Sequence, residues 1–312
     1  MTEMAVLKAI LTYFALALII FISAYLFSTD VAMFFSILLL IPILIWQENH
    51  PEKEKLSKQV DGRNKGTILF WIFTLFILAL FVRIPSALLF GMPYEKTPLI
   101  YLTVFTIIAI EKTDISAFGF RTQNIGKAIF HGLIFYAILG GSALLTNYLL
   151  IYAFTNQTPV QSYVVAVFIL AMPFHTLCVG VSEEGFFRGY VQTHLEKFYG
   201  TNKAILIQAV LFGIWHFVWD LNPFNPWGMV QYVAITFFIG LAFGYFYTKA
   251  RNLASVVIAH GLWNSVQLGI LANQAAFDAL QAIPIAIQIL IWFLPYAISV
   301  IAAILFVKFW VK

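Results

Sequence analysis

Apolar residues run through this chain in long blocks, and short polar segments break them at intervals. The blocks fall at about 8–28, 31–46, 67–90, 98–111, 128–154, 162–182, 203–219, 229–248, 253–272 and 284–307. An α-helix rises about 1.5 Å per residue, so about 20 apolar residues cross a hydrocarbon layer about 30 Å thick. Most blocks reach that length. Those at 31–46 and 98–111 fall short and read as tilted or re-entrant elements. The pattern predicts an all-α, polytopic transmembrane helix bundle of about 8–10 spans.

Composition agrees: 62% of residues are hydrophobic and 10% are charged, against about 25% charged in a soluble domain. A soluble enzyme is thereby excluded. The formal net charge of +4 does not point to nucleic acid, because the basic residues sit in short loops, where they report orientation. Lys53, Lys55, Lys58, Arg63, Lys65, Lys112, Arg121, Lys127, Arg188, Lys197, Lys203, Lys249, Arg251, Lys308 and Lys312 all fall on one side of a ten-span map. The positive-inside rule then puts both termini in the cytoplasm and the chain in a plasma (inner) membrane, with the lipid bilayer as its surroundings. Two basic residues break the pattern, Lys96 and Arg83. Arg83 is expected to snorkel from the end of its span. Only Lys8 precedes the first apolar block, which reads as a retained span. The single cysteine, Cys178, allows no intrachain disulfide and no Cys-based metal site; it reads as a buried apolar-like residue.

Polar residues inside the apolar blocks are the candidates for chemistry, since a charge at a helix centre costs about 2.5–3.5 kcal/mol even on the lenient insertion scale. Glu183 and Glu184 lie together in VSEEGFFRGY, with Arg188 one turn beyond. Glu184 and Arg188 have the favourable i,i+4 orientation of a helical ion pair. Glu183 points about 100° away and has no local partner, which suits a general base or acid. His216 ends FGIWH, and His260 and Asn264 share one helix face in HGLWN. Each group alone also reads as structure: an ion cluster at a membrane edge, a packed core histidine, an interhelical polar pair. Together, three spans carrying polar groups bury them best against one another, around a single polar intramembrane cavity. Glu183, His216 and His260 are also a possible His₂Glu zinc set, although the chain has no H-E-x-x-H signature.

The depths conflict. Glu183 falls near the cytoplasmic end of its expected span, His216 about 20 Å along the next, and His260 about 10 Å deep. Tilted spans, or a connection over 185–202 that dips inward, would reconcile them.

EEGFFRG, FGIWH and HGLWN, in this order and spacing, resemble the three motifs of the CPBP family, the CAAX-endopeptidase and bacteriocin-processing-type glutamate intramembrane proteases. The resemblance covers about 160–272, and SAFGFRTQN is similar to a short segment that precedes such domains. It implies that Glu183 activates water, that His216 holds that water, and that His260 and Asn264 polarise the scissile carbonyl. Glu184 and Arg188 would be supporting residues. It implies an endopeptidase with no cofactor and no metal, acting on a membrane-associated protein or peptide, such as a prenylated tail or a leader peptide. The expected organisation is an N-terminal extension (1–110), a polar connector (111–127), a protease core (128–272) and a C-terminal loop and helix (273–312). The rival reading is a transporter or scaffold whose Glu/His cluster binds an ion or proton. It would be favoured by paired broken helices in two halves, and no such symmetry is visible.

Overall fold

The computed structural model describes residues 65–91, 95–111 and 113–311. The two spans expected at 8–28 and 31–46 lie outside the described residues, apart from positions 18 and 22. Each of the remaining eight apolar blocks contains helix. They are α1 (Lys65–Phe90), α2 (Lys96–Phe105, extended by a π turn at Thr106–Ile110), α3 (Ile125–Thr155), α4 (Val165–Tyr199), α5 (Thr201–Trp215), α6 (Pro226–Ala250), α7 (Leu253–Gly269) and, after a short α8 (Gln274–Gln281), α9 (Ile285–Trp310). Six of these are long and apolar enough to cross a membrane: α1, α3, α4, α5 with its 3-10 extension to Asp220, α6 and α9. Two short strands, β1 (Val160–Tyr163) and β2 (Ile270–Ala272), pair antiparallel and tie the start of α4 to the end of α7. The protein is a polytopic, essentially all-helical membrane bundle.

Two apolar cores organise it. One gathers Trp71, Leu75, Ile100, Phe186, Phe187 and Trp215 from α1, α2, α4 and α5. The other gathers Phe135, Leu139, Phe243, Phe246, Val256 and Val300 from α3, α6, α7 and α9. Val181 on α4 packs against both. Large apolar side chains also cover much of the outside, Leu170, Phe238 and Ile301 among them, as lipid contact requires.

Helix α2 is short because it lies inside the bundle: Lys96, Thr97, Pro98, Leu99, Ile100 and Leu102 are all buried. It comes close to α4 at Gly185, where a Cβ would stand 2.6 Å from the Ile100 Cδ1.

Helix α4 departs from the sequence expectation. The span drawn at 162–182 does not end there; helix continues to Tyr199 through wide π turns at Phe174–Gly180 and Gly185–Gln192. Every residue from Ser182 to Leu195 is buried. Hydropathy suggests an end because Glu183, Glu184 and Arg188 interrupt the apolar run, but their partners on other helices keep them inside. The turn comes at Gly200 instead, at φ 74°, a conformation that glycine adopts without steric cost. Glu184 and His216 are equally far from Gly200 in sequence. The α4–α5 hairpin therefore sets them at matching heights, about 24 Å from the turn at about 1.5 Å per residue. The conflict of depths between Glu183 and His216 disappears, and the 185–202 connection is helix and one tight turn.

Candidate active site

Glu183 and Glu184 stand between the two π turns of α4, where π segments often accompany function. Both are buried. Glu183 reaches four neighbours from three other helices. Its Oε1 is ion-paired with the Lys96 ammonium from α2 and accepts a hydrogen bond from the Trp215 Nε1–H of α5 at 3.2 Å. Its Oε2 lies 3.9 Å from the His216 Nε2 and 3.7 Å from the His260 Nε2, and has no hydrogen-bond partner among the described residues. Those separations exceed direct hydrogen-bond reach and suit a single water bridging the three atoms.

The far nitrogens of both rings are held. The His216 Nδ1–H donates to the Phe212 carbonyl at 2.7 Å, one turn back on α5. The His260 Nδ1–H donates to the Glu184 Oε1 at 2.6 Å. Each ring is thus fixed in the tautomer that turns Nε2 toward Glu183. Glu184 also accepts from the Arg188 guanidinium at 3.1 Å, the i,i+4 pair expected from the sequence. Arg188 in turn lies over the Phe212 ring, 4.1 Å from its centroid, so its charge is faced by a carboxylate on one side and a π face on another. Asn264, one turn beyond His260 on α7, is half-buried, and its amide has no hydrogen-bond partner among the described residues. The structure therefore gathers Glu183, Glu184, Arg188, His216 and His260 into one contact network and leaves Asn264 beside it on the same helix.

Sequence reasoning missed a second tier. Arg83 does not snorkel: it is wholly buried. It is ion-paired with Glu95, donates from Nε to the Trp215 carbonyl at 3.0 Å and stacks over the Trp215 ring at 4.4 Å. Lys96 lies 3.3 Å from the same Glu95 as well as against Glu183. A chain of alternating charges thus runs from Arg83 through Glu95 and Lys96 to Glu183, with Trp215 clamped beside it. The signal for it was present: Arg83 and Lys96 are the two basic residues that break the positive-inside pattern. Cys178 is fully buried, as expected.

Among the described residues no three His, Cys, Asp or Glu side chains form a metal-binding group. The zinc set weighed from the sequence also meets a chemical objection. The Lys96 ammonium already lies against Glu183, where it would repel a divalent cation. It supplies the carboxylate's counter-charge without one.

Residues 164–266 match the family described as type II CAAX prenyl endopeptidase Rce1-like. This segment is an Rce1-like CAAX endopeptidase domain. No curated protein and no solved structure matches the chain. The Rce1-like domain contains Glu183, Glu184, Arg188, His216, His260 and Asn264. Arg83, Glu95 and Lys96 lie outside it, on the α1–α2 stretch that completes the carboxylate's surroundings.

Proposed function

We propose that this chain is an intramembrane glutamate endopeptidase, independent of metal, that hydrolyses a peptide bond in a membrane-associated protein or peptide. The observation that carries the reading is the convergence of the Glu183 Oε2 and two imidazole Nε2 atoms at 3.7–3.9 Å. A water between them is held by His216 and gives its proton to Glu183, and the resulting hydroxide attacks the scissile carbonyl. The oxyanion is met by the Asn264 amide and by His260. To donate from Nε2, His260 must carry a second proton, and Glu184, 2.6 Å from Nδ1, then balances the ring's charge. Glu183 passes its proton to the leaving amine, which restores the starting state. Lys96 and Trp215 hold Oε1, so Oε2 is the oxygen that works.

Residues 128–272 are read as the catalytic core. The basic loops favour a cytoplasmic location for both termini, in the plasma (inner) membrane. A prenylated tail fits the family description, and a leader peptide uses the same chemistry.

The test is cleavage of a membrane-peptide library by the purified protein in liposomes, comparing wild type with Glu183→Gln and His216→Ala. Wild type cleaves, both variants fail, and a chelator leaves the wild-type rate unchanged. Full activity of Glu183→Gln would sink the mechanism, and ion flux without cleavage would support the transporter reading instead.

A further inference from the structure

At the end of the bundle where α3 begins, three distant stretches of chain meet: residues 121–131, residues 249–252 between α6 and α7, and Val311 after α9. They enclose a cavity of about 180 Å³. Its wall carries Arg121, Lys127, Lys249, Arg251 and His131 and, among the described residues, no carboxylate. The buried Asn252 organises it. Its Nδ2 donates to the carbonyls of Gln123 at 3.1 Å and Arg121 at 3.4 Å, and its Oδ1 accepts from the Ala254 N–H at 3.0 Å. Two loop carbonyls that would otherwise repel an anion are thereby engaged. The 31-residue helix α3 starts here with no side-chain cap at Asn124, and a Cβ added at Gly126 would meet nothing within 4 Å. The positive end of its dipole adds to the basic side chains. Some of the charge is already used: Arg251 pairs with Glu196 at 2.7 Å, the Arg121 Nε donates to the Ser116 carbonyl at 2.6 Å, and Lys127 has an interaction of its own. The remaining concave field favours an anion.

A second cavity of about 510 Å³ shares Arg121 and Gln123 with the first and runs along α4 and α7. Its walls are mainly apolar, with Ile115, Phe120, Val181, Leu253 and Val257. Asp114 also lines it, but its carboxylate accepts the Ser116 N–H at 2.9 Å, and it does not line the basic pocket. A basic pocket that shares Arg121 and Gln123 with a neighbouring apolar groove is the complement of an amphiphile with a phosphate head. Basic pockets between membrane helices bind anionic headgroups on this principle.

We propose that the two cavities form one phospholipid site, with the phosphate headgroup in the basic pocket and an acyl chain in the groove. The site is distinct from the Glu183 cluster and does not depend on the proteolytic reading. Native mass spectrometry of the full chain, titrated with dioleoyl phosphatidylglycerol, with dioleoylglycerol (the same chains without phosphate) and with inorganic phosphate, tests it. Phosphatidylglycerol is expected to bind at least about tenfold more tightly than either part alone. The paired change Arg121→Gln with Lys249→Gln should weaken it about tenfold, while Arg121→Lys with Lys249→Arg should retain it. Equal binding of dioleoylglycerol, or an unchanged affinity in the Gln variant, would overturn the proposal. Inorganic phosphate binding as tightly as the lipid would make this a free-anion site, and displacement by an acidic peptide at lower concentration would make it a peptide site. Either result would overturn it too.

Discussion

Helix α4 carries two buried groups of carboxylate and imidazole, and they are wired differently. In one, His194 and Tyr190 of α4 close on Glu111: the Tyr190 O–H donates to Oε1 at 2.7 Å and the His194 Nε2–H to Oε2 at 3.0 Å. Both oxygens of that carboxylate are occupied at hydrogen-bond length. In the other, two turns earlier, Glu183 has one oxygen occupied by Lys96 and Trp215, while the second faces two imidazole nitrogens from 3.7–3.9 Å. Most buried polar groups are satisfied, although among the described residues Glu95 and Glu184 each keep one oxygen, and His194 its Nδ1, without a hydrogen-bond partner. What sets Glu183 apart is that its open oxygen faces two imidazole nitrogens at once, with room for a third party between them. Residue types alone do not separate the two clusters; the distances do.

The largest effect expected from that contrast is at Glu183. Glu183→Gln should lower the cleavage rate about 10³-fold and also cost some stability, because the buried Lys96 ammonium is left with only Glu95, which Arg83 shares; a liposome cleavage assay beside a melting curve reads both. His260→Ala should follow, at about 10²-fold, and the loss should be no greater in the double variant with Glu184→Gln if Glu184 acts only through that ring. Lys96→Met should cost both activity and about 3–5 kcal/mol of stability, because it leaves Glu183 buried without a counter-charge. Adding Glu183→Gln to Lys96→Met should restore the stability and not the activity. Asn264→Ala should cost about tenfold in rate, less than the roughly 10²–10³-fold of a firmly held oxyanion donor, since no partner holds its amide in place. At the other cluster, Glu111→Gln should remove about 1–3 kcal/mol of stability and leave the rate per folded molecule unchanged. A rate loss there matching that of Glu183→Gln would erase the distinction between the clusters.

The bundle was legible in the sequence because hydropathy reports length, and all eight blocks within the described residues contain helix. The motif residues were legible because intramembrane charge is costly enough to be noticed. The end of α4 was not, since Glu183, Glu184 and Arg188 look like the polar edge of a span until their partners are known. Those partners come from as far as Lys96 and His260, and one chain read alone pairs nothing across such distances. Arg83 and Lys96 show the same limit from the other side. A topology rule assumes that a basic residue outside the loops is an exception, whereas here both are counter-ions to Glu95 and Glu183. Trp215 carried no polar signal in the sequence, and only its indole N–H, aimed at Glu183, gives it away.

The Gly200 hairpin has one more consequence. Because Glu184 and His216 are equally far from that turn, its two arms act as a ruler, and the ruler has little slack. Adding one residue to either arm would slide one helix by about 1.5 Å and turn its side chains by about 100° beyond the insertion, which swings Glu183 or His216 out of register. Substitutions along the arms can be absorbed by neighbouring side chains. A change of length is harder to absorb, because only a π turn such as that at Gly185–Gln192 can take up an extra residue, so between residues 184 and 216 the chain should accept altered letters far more readily than inserted or deleted ones.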